Sequence, residues 1–212
     1  MAVVRRTSGP WMHLGAAKRF ADQCVLLEAA HQQAQFESEE AETLLHKSLA
    51  AVILAASALD AYANQLLHDK QEVKDKWKAR DEARSAAKKR SREKPGPEIL
   101  QKFAYALEQR GRLLDETSKE YQDVLALIDV RNSLVHFWPE WTDEKKEHEK
   151  IRSTLRALNI APSRVATNPA IAHFPEDYMG AALARWACVT ARAFLERMRD
   201  EAGDSVTTFP AV

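Results

Sequence analysis

Apolar residues recur every three to four positions along most of the chain, which is the spacing of one face of an α-helix. In residues 14–33 this stripe runs through Leu14, Ala17, Ala21, Cys24, Leu27 and Ala30. Residues 38–67 carry the longest pattern, and their centre is small and apolar nearly all round, as expected of a helix packed on several sides. The spacing predicts helices over 14–33, 38–67, 98–114, 118–137, 143–158 and 176–201.

A charged segment, residues 69–95, interrupts this pattern. It holds eleven Lys and Arg against six Asp and Glu, a local net charge of +5. We interpret it as an insert that is either a solvated helical extension or a mobile arm, followed by a helix-breaking Pro and Gly cluster at 95–97. The chain is therefore predicted to be a single all-α domain over 1–212, a bundle of about six helices with a frayed tail at 203–212.

Composition limits the partners and the location. The 31 basic and 31 acidic residues give a formal charge of zero, so any nucleic-acid site must be a local patch. The longest small or apolar run, 49–59, is much shorter than the roughly 20 residues that span a bilayer. Cys24 and Cys188 lie far apart and predict no disulfide. No secretory signal is seen, and we expect a cytoplasmic protein without a membrane partner.

Several common enzyme motifs are missing from the sequence. There is no GxGxxG, P-loop, GxSxG or HExxH motif. His31, His46 and His68 lie on predicted helices without a second soft ligand at metal spacing. We therefore expect neither a metal nor a cofactor.

The segment 124–141 contains the strongest candidate site. Asn132 and His136 are four residues apart and share a helix face, while Arg131 and His136 are separated by about 140° around the axis. A long arginine side chain can curl towards His136, so we expect all three to border one cleft. Arg131 also falls on an apolar stripe, where a buried guanidinium requires an anion or an interface beside it.

These residues resemble the signature of the HEPN superfamily of helical RNases and toxin-like domains, an Arg followed after four to six residues by a His. The polar residue that commonly follows the Arg is here Asn132, and His136 completes the motif. The small-residue-rich segment 57–62, which contains Asp60, looks like the acid-bearing helix that packs under this motif in such families. The resemblance covers roughly 38–138, and it implies a homodimer in which two Arg and two His line a shared cleft without a metal.

Two further observations bear on the resemblance. Arg6 and His13 fit the same spacing, but they flank Gly9 and Pro10 in a start that looks disordered, and we assign them no role. Some HEPN toxins carry a Tyr two places after the His, where a partner enzyme modifies them, whereas Trp138 stands there in this chain. That mode of silencing is therefore not supported.

Supporting roles are assigned to a few neighbouring residues. Asn132 is expected to fix the His136 ring or a phosphate, with simple helix-end hydrogen bonding as the alternative. Asp60 is expected to pair with Arg131, unless it forms a plain buried salt bridge. Candidate RNA contacts, with a solvated arm and a core aromatic as the ordinary alternatives, are Lys88, Lys89, Arg90, Arg92 and Trp138.

The resemblance implies a metal-independent endoribonuclease of toxin or antiphage defence type. Its reaction is attack by the RNA 2′-hydroxyl, for which a histidine serves as general acid or base and an arginine stabilises the phosphate charge. RNA, a second copy of the chain, and an antitoxin or regulatory protein are the expected partners. The alternative is a non-catalytic module of the same fold that binds a nucleotide, RNA or protein; a pure scaffold is the third reading.

Overall fold

The computed structural model describes residues 9–31, 38–68, 71–88, 96–136, 146–163 and 174–205. Within these ranges the chain forms seven α-helices and no β-strand, so the predicted all-α class is confirmed. The helices are α1 Gly9–Ala30, α2 Ser38–His68, α3 Gln71–Lys88, α4 Glu98–Glu108, α5 Lys119–Val135, α6 Lys146–Ala157 and α7 Ala181–Ala202. Six of them correspond to the six predicted helices, and α3 lies in the charged insert.

The long helix α2 is the centre of the bundle. It packs against α1, α3, α4, α5 and α7. Small side chains such as Ala51, Ala55 and Ala58 are fully buried, which lets neighbouring helices approach closely. The middle of α2 is long and apolar enough to cross a membrane, a property it shares with helices buried in the core of a bundle.

Aromatic rings join α2, α4 and α7 inside the core. The Phe103 ring centroid lies 5.1 Å from that of Phe194, edge to face, and 6.2 Å from that of Tyr62. All three side chains are fully buried. This cluster fixes α4 against α2, and α4 and α2 together form two walls of the groove described below.

Several helix ends differ from the predicted ones, two for local reasons and one because of a contact with a residue distant in sequence. The helix α1 begins at Gly9 rather than at residue 14, because a proline in the first turn of a helix loses no intrahelical hydrogen bond. The helix α4 ends at Glu108 rather than at 114, where Gly111 adopts a left-handed turn with φ of +70°. The helix α7 begins at Ala181 rather than at 176, and its N–H donates to the Glu28 carboxylate at 2.9 Å.

The insert forms the helix α3 over 71–88, which decides between the two interpretations for that stretch. Its residues are mostly exposed, but Trp77 packs against Tyr105 of α4 at a ring centroid distance of 5.4 Å. Arg80 lies over the same tyrosine ring and donates to Glu108 at 2.8 Å. These three contacts hold the charged helix against α4.

Candidate functional site

A polar groove of about 610 Å³ lies between α1, α2, α4 and α5. Its polar lining comprises His13 of α1, Ser57, Asp60 and Asn64 of α2, Glu98 and Lys102 of α4, and Arg131 and Asn132 of α5. The groove thus brings together three residues that the sequence singled out, from two helices far apart in the chain.

The α5 side of the groove presents hydrogen-bond donors. The Nη1 of Arg131 donates to Oδ1 of Asn132 at 2.9 Å, and both side chains are half-buried. Because this bond occupies the amide oxygen, the Asn132 NH₂ group and the remaining guanidinium N–H groups are left to face a ligand. Among the described residues, no carboxylate lies within ion-pair distance of Arg131. We call Arg131 and Asn132 the donor edge.

The opposite side presents hydrogen-bond acceptors. The ammonium of Lys102 contacts Oδ1 of Asp60 at 2.9 Å and Oε1 of Glu98 at 3.1 Å. Only 12% of the Lys102 side chain is exposed, so burial opposes its charge, but the hydrogen bonds to the two carboxylates hold the Lys102 pKa above its ordinary value. The other oxygen of each carboxylate has no partner among the described residues. We call Asp60 and Glu98 the acceptor edge.

The predicted pairing of Asp60 with Arg131 is wrong. Asp60 accepts a hydrogen bond from Lys102, while Arg131 bonds to its own neighbour Asn132. The reason is that Lys102 lies one helical turn after Glu98 on α4, so its ammonium enters the groove between two carboxylates. The alternative, a plain buried salt bridge, is met in part: Asp60 forms a salt bridge with Lys102, but 43% of the Asp60 side chain is exposed.

His136 lies at the end of α5 and does not line the groove. The helix ends at Val135, and the His136 backbone leaves the helical conformation with φ of −107° and ψ of 45°. Its N–H still donates to the carbonyl oxygen of Asn132 at 2.8 Å, and its side chain is exposed. Of the three residues expected to border one cleft, Arg131 and Asn132 line the groove. The His136 imidazole is exposed to solvent and is not part of the groove lining.

The other predicted RNA contacts have no described side chains. Lys88 is the last residue of α3. Lys89, Arg90, Arg92 and Trp138 lie outside the described residues. Their proposed contacts with RNA remain predictions.

Sequence reasoning missed His13, Asn64, Glu98 and Lys102. The sequence does show that Glu98 and Lys102 are four residues apart on a helix, a spacing at which an acid and a base form an ion pair. Such pairs are usually solvated, so the spacing alone does not indicate a site. No pattern in the sequence shows that this pair faces α2. Gly9 and Pro10 before His13 suggest a disordered start, so the sequence assigns His13 no role. In the structure α1 begins at Gly9, and His13 lines the groove.

The charges of the groove balance. Arg131 and Lys102 carry positive charges, and Asp60 and Glu98 carry negative ones. Because Lys102 is already shared by two carboxylates, Arg131 is the cation that remains available to an anion. In the described part of the chain, no group of three His, Cys, Asp or Glu side chains is close enough to hold a metal ion.

A second cavity, of about 390 Å³, lies between α3, α4 and the start of α5. It is lined by Trp77 and Tyr121, together with Arg80, whose guanidinium is bound to Glu108. None of the residues predicted to be catalytic lies there, and its cation is already neutralised. The groove is therefore the better candidate for chemistry on an anion.

In comparisons with known proteins, no family model, no curated protein and no solved structure matches the chain. The likeness to HEPN domains accordingly depends on the residues of the motif.

Proposed function

We propose that this protein is a metal-independent endoribonuclease of the HEPN type that acts as a homodimer in toxin or antiphage defence. The observation that carries the proposal is the state of Arg131. Its guanidinium is half-buried in an open groove and has no carboxylate partner among the described residues. A structural arginine in such a place is normally paired, because an unpaired charge loses hydration.

A phosphate is the natural partner for this arginine. The planar guanidinium offers several N–H donors in a fixed fork that matches two phosphate oxygens, and the Asn132 amide adds another donor. A scaffold bundle, in contrast, predicts an arginine capped by a carboxylate and no open cleft. The donor edge therefore argues against the scaffold reading.

The proposed reaction breaks the RNA chain through its own 2′-hydroxyl. A general base removes the hydroxyl proton, the oxygen attacks phosphorus, and the 5′-oxygen leaves with a proton from a general acid. The products are a 2′,3′-cyclic phosphate and a 5′-hydroxyl. Histidine serves either role near neutral pH, and each role typically contributes about 10²- to 10⁴-fold to the rate.

The HEPN-like motif of one chain contains one histidine, His136, and the resemblance implies that a second copy supplies the other. His136 is exposed at the end of α5, and Val135 beside it exposes 44% of its surface. We place the contact between two copies at this end of α5, where the resemblance puts the shared cleft. In that arrangement each groove receives the histidine of the partner.

One observation favours a second candidate, a module that binds RNA or a nucleotide without turnover. His136 does not line the groove of its own chain, so the groove alone has an anion-binding arginine without an adjacent acid or base from the motif. Such a protein would bind through the donor edge and leave the bound strand intact.

The test is cleavage of a labelled single-stranded RNA by the purified protein in EDTA, beside an all-deoxy strand of the same sequence. We expect cleavage of the RNA alone, with 2′,3′-cyclic phosphate ends. His136→Ala and Arg131→Gln should each lower the rate at least about 100-fold. His46→Ala, at an exposed histidine of α2, is the matched control and should cleave like the wild type.

The outcomes separate the candidates. Tight RNA binding without cleavage by the wild type, in a folded dimer, would favour the binding module. Cleavage that survives His136→Ala would remove that residue from the mechanism. A protein that is monomeric by light scattering while it cleaves RNA would contradict the shared site.

A further inference from the structure

The groove has two chemically opposite edges. The donor edge, Arg131 and Asn132, directs N–H groups into it, and the acceptor edge, Asp60 and Glu98, directs carboxylate oxygens. Both carboxylates are accessible, with 43% of the Asp60 side chain and 58% of the Glu98 side chain exposed. A complementary ligand therefore carries an anion at one end and hydrogen-bond donors at the other.

A phosphate alone does not meet this requirement. It would bind the donor edge, but its oxygens would face two carboxylates that offer no proton. Lys102 does not change this balance, because its ammonium already contacts both acids at 2.9 and 3.1 Å. The ligand has to bring its own donors to the acceptor edge.

A ribonucleotide with a 3′-phosphate has both features. Its phosphate is the anion, and its 2′-hydroxyl is a donor on the adjacent carbon of the same sugar. Carboxylates are commonly used to bind ribose hydroxyls, and the 2′-hydroxyl is the group by which a protein distinguishes RNA from DNA. Inside an RNA strand the 3′-oxygen is esterified, so the 2′-hydroxyl is the sugar donor that remains.

We propose that the groove binds a ribonucleotide unit with its 3′-phosphate on the donor edge and its 2′-hydroxyl on Asp60, with Glu98 as the neighbouring acceptor. This assignment rests on the proposed function for the choice of an RNA-like ligand, and it adds the residue that recognises the sugar. Lys102 acts as a positioning residue, since it holds both carboxylates at the groove wall. The volume of about 610 Å³ lies in the range of small-molecule sites.

The test is calorimetric titration of the full-length protein with the four nucleoside 3′-monophosphates and their 2′-deoxy counterparts. The wild type should prefer the ribose form by about tenfold, the size expected for one hydrogen bond to a charged acceptor. Asp60→Asn should abolish this preference, because its amide oxygen retains the contact with Lys102 and its NH₂ group, a donor, replaces the free carboxylate oxygen that would accept from the 2′-hydroxyl. Arg131→Gln should weaken both forms equally and leave the ratio unchanged.

Asp22→Asn is the matched control, since Asp22 accepts from Lys18 at 2.6 Å on α1 and does not line the groove. It should show the wild-type ratio, and far-UV circular dichroism should show that all variants remain folded. Equal affinity of the wild type for ribose and deoxyribose forms would overturn the proposal, as would no binding of any nucleotide. A ribose preference that persists in Asp60→Asn would also overturn it.

RNA cleavage is scored separately, so the two failures are distinguishable. A ribose preference that depends on Asp60, in a protein that never cleaves RNA, supports this assignment and rejects the nuclease. Cleavage of RNA without any ribose preference rejects the assignment alone. Tighter binding of a free amino acid than of any nucleotide, with the same dependence on Arg131 and Asp60, would assign the groove to zwitterions and overturn the sugar contact.

Discussion

Replacement of Arg131 by Gln should change the free energy of unfolding very little, even though the side chain is half-buried. The hydrogen bond from Arg131 to Asn132 contributes about 0.5–1.5 kcal/mol. The substitution also removes a half-buried charge that loses part of its hydration on folding and has no carboxylate among the described residues to compensate for it. This gain offsets part of the lost hydrogen bond. We therefore expect a change of less than about 1 kcal/mol.

The matched control is Arg197→Gln in α7, an arginine with genuine partners. Its guanidinium contacts Glu201 at 2.6 Å, Glu120 at 3.1 Å and Asp115 at 3.6 Å. Partly exposed ion pairs contribute about 0.2–1 kcal/mol each, so the three together contribute about 1–2 kcal/mol. A glutamine cannot span the three carboxylates, and this variant should lose most of that stabilisation.

Urea unfolding followed by circular dichroism at 222 nm measures both variants. All samples must share one protein concentration, since dimerisation would make the unfolding midpoint depend on it. If Arg131→Gln lost about 3 kcal/mol or more, as expected when one partner of a buried ion pair is removed, Arg131 would be a structural residue. The argument that its guanidinium awaits a phosphate would then fail.

Three further predictions concern the packing of the core, the ionisation of Asp129 and the binding of RNA. Phe103→Ala should lower the free energy of unfolding by about 3–5 kcal/mol, because the ring is fully buried. Phe20→Ala, at a half-buried ring, should lower the free energy of unfolding clearly less, and similar losses for the two variants would contradict the packing described. Burial raises the pKa of Asp129 above its ordinary value of 3.8, and Lys150 only partly offsets this, so the native state binds the proton more tightly than the unfolded chain does. Above pH 3.8 the ionised Asp129 carboxylate therefore destabilises the fold. Asp129→Asn should be more stable than the wild type at pH 7, and the difference in stability should shrink towards pH 3.8. Identical urea unfolding curves of the two proteins at pH 7 would contradict this. If RNA binds through Arg131 alone, the logarithm of its affinity should fall with the logarithm of salt concentration with a slope of about −0.7, whereas engagement of the four cations of 88–92 as well would give a slope of about −3.5.

The periodic pattern was sufficient to predict which segments are helical. The predicted bounds of α2 agree with the structure to within one residue, because an uninterrupted apolar pattern of that length fits no other element. Helix ends depended on contacts from elsewhere. The start of α7 at Ala181 involves Glu28, which is distant in sequence, and no local pattern contains that contact.

Three predicted site residues line the groove, Arg131 and Asn132 on α5 and Asp60 on α2, but the contact made by Asp60 was not predicted. Arg131 and Asn132 are adjacent in sequence, so a motif search finds them together, and the structure places both in the groove. The partner of Asp60 was not predictable, because Lys102 belongs to a helix whose orientation is set by the burial of Phe103. A motif predicts residue types at fixed spacing along one helix, whereas the opposite wall of a site depends on how helices pack.

The charge distribution of the chain restricts how such a site achieves selectivity. The protein has no net charge, and the groove holds two cations and two carboxylates, so the groove itself exerts little long-range attraction on a polyanion. Affinity must then come from the alignment of short hydrogen bonds, with donors from Arg131 and Asn132 on one edge and acceptors from Asp60 and Glu98 on the other. An arrangement of this kind disfavours an isolated phosphate, since two carboxylates repel it, and accepts a phosphate that carries a hydroxyl beside it.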